Sequence, residues 1–66
     1  MKALDVKLGQ LIKTEWGFAT VMKFFAPMSI GCIIVTPFTK AKRFQQGDWI
    51  YLRGLDFHQA EIVTNG

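Results

Sequence analysis

His58 and Cys32, the one histidine and the one cysteine of this 66-residue sequence, are its natural candidates for acid–base or nucleophilic chemistry near neutral pH. Neither is placed for it. Glu61 follows His58 by three residues, and in the strand expected there that offset puts the two side chains on opposite faces. No serine, thiol or other carboxylate is spaced to complete a catalytic set around His58. Cys32 lies in the apolar run Ile30–Val35, where a thiol behaves as a small buried hydrophobe. Being alone, it makes no intrachain disulfide, and the sequence holds no Cys/His cluster with zinc spacing. A glycine-rich phosphate loop is missing as well. The expectation is a protein that is not an enzyme and that carries no metal or cofactor.

Binding is the chemistry the residue types do support. The net charge is +3, and it is unevenly spread. Residues 1–43 carry seven lysines and arginines against Asp5 and Glu15, whereas residues 44–66 carry Arg53 against Asp48, Asp56 and Glu61. A polyanion approaching one side suits that asymmetry. Hydrophobic residues make up 50% of the chain, more than the interior of one small domain can hide. The excess is expected on the outside, as a subunit interface or ligand surface, so a homo-oligomer is expected.

The elements that must position these groups read as strands. Leu4, Val6 and Leu8 alternate with Asp5 and Lys7, and the first strand is expected over residues 3–13 with Gly9 as a bulge or bend. Thr14-Glu15-Trp16-Gly17 reads as a tight turn. The second strand is expected over 18–25; Phe24 and Phe25 cannot both be buried on one face of it. Ala26-Pro27-Met28-Ser29 is a loop, and the third strand follows over 30–38. Residues 40–46 are polar, with room for one helical turn. Gly47-Asp48 turns the chain into a fourth strand over 48–53, in which Ile50 and Leu52 alternate against Trp49, Tyr51 and Arg53. A last strand is expected over 58–64.

Residues 1–66 thus read as a single all-β domain, a small five-stranded barrel of OB type or, alternatively, SH3-like. The apolar stretch Phe18–Val35 is broken by Lys23, Pro27 and Gly31 and is not expected to span a membrane. Asp5 and Lys7 stand where a signal peptide would need its apolar stretch, so a cytoplasmic location is expected.

Within this frame Phe38, Lys40, Ala41, Phe44, Gly47, Ile50, Leu52 and Gly54, all inside IIVTPFTKAKRFQQGDWIYLRG, match a pattern. So does Leu8-Gly9-Gln10-Leu11 in the first strand. Together they resemble the single-stranded-DNA-binding OB-fold family, in a minimal version. The linker between strands three and four is shorter than the family's helix-bearing one, and the acidic tail of bacterial members is not expected. A phage, plasmid or other mobile-element version is what such a minimal form suggests.

The resemblance implies single-stranded DNA or RNA as partner, held by aromatic stacking and by basic contacts to phosphate. OB-folds place this work on strands two and three and on the one–two and four–five loops. That assigns nucleic-acid binding to Lys13, Trp16, Phe18, Lys23, Lys40, Lys42, Arg43, Arg53 and Phe57, with Trp16 the foremost stacking residue. Trp16 has a second possible role, as a lid over the barrel's open end. Trp49 and Tyr51, facing away from Ile50 and Leu52, are expected at a subunit interface. The alternative is a protein-interaction module whose exposed aromatics meet a protein partner, such as a phage- or plasmid-borne inhibitor of a host protein.

Overall fold

A computed structural model describes residues 5–39 and 43–64. Five strands form one antiparallel sheet: β1 (Leu11–Thr14), β2 (Gly17–Ala26), β3 (Ser29–Pro37), β4 (Trp49–Arg53) and β5 (Glu61–Ile62). A five-residue helix, α1 (Leu55–Gln59), stands between β4 and β5. The sheet order is β4-β3-β2-β1-β5. Each strand from β1 to β4 therefore pairs with the next, and only β5 returns to lie beside β1. The all-β expectation holds. Closure does not: β4 and β5 are the two edges of the sheet and do not pair with each other.

The first strand is shorter than its alternation suggests. Gln10 donates its N–H to the Lys7 carbonyl, and Gly9 has φ 81°, the positive value a type II turn asks of its third residue. The chain turns at Leu8–Gly9 before β1 begins, so Leu8 is left exposed while Val6 reaches the core. The expected residues 3 and 4 lie outside the described part.

Phe18–Val35, with its embedded lysine and proline, is the β2–β3 hairpin, closed by a turn at Pro27-Met28. No helix among the described residues is long and apolar enough to cross a membrane. The helical turn expected at 40–46 falls partly outside the described residues, and residues 43–46 are not helical. The helix forms at 55–59 instead, where a strand was expected to begin at 58. One helical turn swings Phe57 inward to fill the core, at 0% exposure, which a strand continuing straight from β4 would not do. Asp56 in its first turn complements the helix dipole.

Alternation builds the core. Ile12, Ala19, Val21, Ile30, Cys32 and Ile34 point inward from β1, β2 and β3, and Ile50 and Leu52 from β4. Phe57, Ala60 and Val6 close it. One sheet and one short helix bury these side chains almost completely, so the sheet must curl around them. The excess apolar content lies outside as expected: Met22, Phe24, Phe25, Met28, Trp49 and Tyr51 are among the exposed large hydrophobics.

Candidate nucleic-acid interface

The register of the strands decides which side chains share the outer face. Because Ile12 and Thr14 point inward, Lys13 points outward, opposite Phe18 on β2 and Glu61 on β5. Further along, Thr20 faces Ile33 and Ile33 faces Trp49. The next row is Lys23, Gly31 and Tyr51, and Ser29 then faces Arg53. Two aromatic groups result, one around the β1–β2 turn and one over β3 and β4.

The first group is locked. Thr14 is buried and organises the turn: its hydroxyl donates to the Gly17 carbonyl at 2.8 Å and accepts the Trp16 and Gly17 N–H groups at 3.1 and 3.2 Å. Gly17, at φ 149°, lies so close to the Thr36 carbonyl and Pro37 that a Cβ would collide with backbone. Phe38 donates its N–H to the Trp16 carbonyl at 3.0 Å. Trp16 is half-buried against the core and meets Phe44 edge-on, with centroids 5.4 Å apart at 77°. Phe18 meets Phe38 in the same way, 5.4 Å apart at 80°. The Arg43 guanidinium carbon stands 5.4 Å from the Phe44 ring centre.

The second group is open. Gly31 supplies no side chain, and the rings of Phe25 and Trp49 settle over it; a Cβ there would stand 3.0 Å from Phe25 Cε2 and 3.2 Å from Trp49 Cζ3. Phe25 and Tyr51 are tilted neighbours, 5.6 Å between centroids. Tyr51 is 63% exposed, Phe25 51% and Trp49 48%. Lys23 reaches over Phe25, its Nζ 5.2 Å from the ring centre. Phe25, Ser29, Tyr51, Arg53 and Asp56 line a shallow open cleft at the far end. It has one cation and one carboxylate on its wall.

The nine residues assigned to nucleic acid are thus divided. Lys13, Trp16, Phe18 and Arg43 belong to the locked end, whereas Lys23 and Arg53 flank the open aromatics. Lys40 and Lys42 lie outside the described residues. Phe57 is a correction: a fully buried ring in the core has no face to offer a base. Phe57 was expected in the loop before the last strand, and the helical turn that buries it was not foreseen. Trp16 is half-buried, packed against the core and edge-on to Phe44, which takes part of its surface. Trp49 and Tyr51, expected at an interface, stand in the same patch as Lys23 and Arg53. Phe25 and Gly31 were not assigned from sequence. The signal for them was Gly31 itself, because a glycine inside an apolar strand marks a close approach.

His58 lies on α1 rather than on a strand, so its expected opposition to Glu61 does not apply; its ring is edge-on to Phe57 at 5.8 Å. Burial pushes the Cys32 thiol up to about 12, far from a reactive thiolate. Among the described residues no group of three or more His, Cys, Asp or Glu is placed to hold a metal ion. No family model, curated protein or solved structure matches this chain.

Proposed function

We propose that this protein is a non-enzymatic binding domain that holds single-stranded nucleic acid on the outer face of β2, β3 and β4. The observation that carries the proposal is the open aromatic patch: Phe25, Tyr51 and Trp49 around the bare backbone of Gly31, with Lys23 and Arg53 beside them. Exposed aromatic faces next to cations are what sequence-tolerant single-strand binding uses, each stacked base contributing roughly 1–3 kcal/mol. Tyr51 is the foremost stacking residue, since one side of Phe25 is covered by Lys23. Trp16 serves as a lid. The resemblance to single-stranded-DNA-binding proteins points the same way, although the strand order of the open sheet is closer to an SH3-like arrangement. β1 to β4 run as an uninterrupted meander, whereas the OB barrel is a Greek key.

A second function has its own support. Met22, Phe24 and Met28 are exposed near the β2–β3 turn, and flexible methionine-bearing surfaces adapt to protein partners. Titration with labelled oligo-dT, oligo-U and duplex DNA at two salt concentrations separates the two. Single strands should bind better than duplex and quench Trp49, and binding should weaken steeply with salt as counterions are released. No complex by anisotropy at low salt, with unchanged emission, would refute the nucleic-acid function and leave the protein partner.

A further inference from the structure

We infer that the free edge of β4 pairs antiparallel with β4 of a second copy, with Tyr51 on the twofold axis, continuing the sheet from one molecule into the next. The inference concerns assembly and does not depend on nucleic-acid binding.

Backbone direction fixes which residues can make the new ladder. Ile34 donates to the Asp48 carbonyl at 2.9 Å and accepts from Gly47 at 2.8 Å, so its peptide groups face β4. Hydrogen-bonded pairs recur every second residue in an antiparallel ladder. Cys32 with Ile50, and Ile30 with Leu52, are therefore the pairs that bond inward. Trp49, Tyr51 and Arg53 turn their N–H and C=O groups away from β3, towards the open edge.

An antiparallel copy centred on Tyr51 places Trp49 opposite Arg53 of the other chain, twice, and Tyr51 opposite itself. All three outward-facing positions then exchange backbone bonds in one register. The side chains agree with it, because a guanidinium meets an indole and two phenol rings adjoin. Each copy thus sets its one cation opposite the other's indole, at both ends of the strand, and this argues for a second copy over an unrelated strand.

Among the described residues nothing blunts this edge in the usual ways. β4 holds no proline, pairs with β3 without a register shift, and has its one charge at its last residue. Edges protected against pairing carry bulges, prolines or charges pointing into the way. The opposite edge, β5, spans two residues and offers far less ladder. A β4–β4 contact is closed by its twofold symmetry, so it ends at a dimer.

Sedimentation equilibrium without nucleic acid, at micromolar concentration, should give twice the 7.5 kDa chain mass. A monomer across that range, or a larger ring, would overturn the inference. Tyr51→Lys sets two like charges opposite each other on the axis and should weaken the dimer roughly tenfold or more. Its side chain is exposed, so the far-ultraviolet spectrum should stay that of the native sheet. Cross-linking tests the register itself. Tyr51→Cys places two thiols on Cα atoms ~5.5 Å apart, within the disulfide range. It should form a covalent dimer on mild oxidation. Trp49→Cys alone should not, its two copies being ~13 Å apart along the strands. An equal mixture of Trp49→Cys and Arg53→Cys should cross-link. Equal cross-linking of Trp49→Cys and Tyr51→Cys would refute the twofold at Tyr51.

Discussion

The two aromatic regions on the outside of this sheet use similar residues to opposite ends. Around the β1–β2 turn, Trp16, Phe18, Phe38 and Phe44 meet in edge-on pairs, and a buried threonine and an obligatory glycine hold the backbone beneath them. Over β3 and β4, Phe25, Trp49 and Tyr51 are tilted or bare, and the glycine beneath them opens space instead of closing it. Edge-on packing uses ring faces inside the molecule. A tilted, exposed ring keeps a face for an incoming base or chain. Aromatic content alone therefore says little about binding; what matters is whether the neighbours have already taken the faces.

That contrast can be broken most sharply by stability measurements. Phe57→Ala, which empties a fully buried site, should lower unfolding free energy by ~3–5 kcal/mol in urea titrations. Tyr51→Ala should move it by no more than ~0.5 kcal/mol, measured in Tyr51 chains held monomeric by dilution. If the two losses were alike, the division into structural and working aromatics would fail.

A crossed pair of variants sharpens the comparison at the next scale. Tyr51→Ala should cost roughly 1–3 kcal/mol in oligo-dT affinity. Trp16→Ala should cost ~1–3 kcal/mol in stability instead, through lost burial and the lost edge-on contact, while affinity stays within twofold. The reverse outcome would return the stacking role to Trp16. A smaller effect is expected from Lys23→Ala. Losing one phosphate contact should flatten the dependence of log affinity on log salt by ~0.7. An unchanged slope would place Lys23 on Phe25 and off the phosphates.

The smallest effect vanishes at neutral pH. Desolvation raises the Cys32 thiol from 9.0 to about 12, so the fold favours its protonated form. A group raised in the folded state contributes its full stability below its unfolded value, and loses it as pH rises through the folded one. The stability difference between the natural chain and Cys32→Ala should be flat below pH 9 and shrink between pH 9 and 12. A constant difference would mean that the thiol titrates normally in the fold.

The strands that were legible are those whose alternation continues to their ends. Ile50 and Leu52 against Trp49, Tyr51 and Arg53 could be read correctly because period two puts every second side chain on one face. The tight turn before β2 was equally plain from Thr14 to Gly17. The start of β1 was not, since Gly9 in a strand and Gly9 in a turn look the same in sequence. Its φ of 81° chose the turn. Residues 55–60 misled for a different reason: a five-residue helix is too short to show a period.

By itself, then, the sequence determined the all-β class, the burial of Cys32, the opposition of Ile50 and Leu52 to Trp49, Tyr51 and Arg53, and an apolar surplus too large for the interior. These follow from local spacing and from the ratio of surface to volume, which need no knowledge of partners across the sheet. Only the tertiary structure decided that Phe57 is buried, that Trp16 packs against the core and Phe44, and that Phe25, Trp49 and Tyr51 gather over Gly31 between Lys23 and Arg53. Phe57 turns inward because of the helical turn that carries it, and the aromatic patch depends on the register between the strands. A shift of one residue in that register would send Trp49 and Tyr51 to the other face.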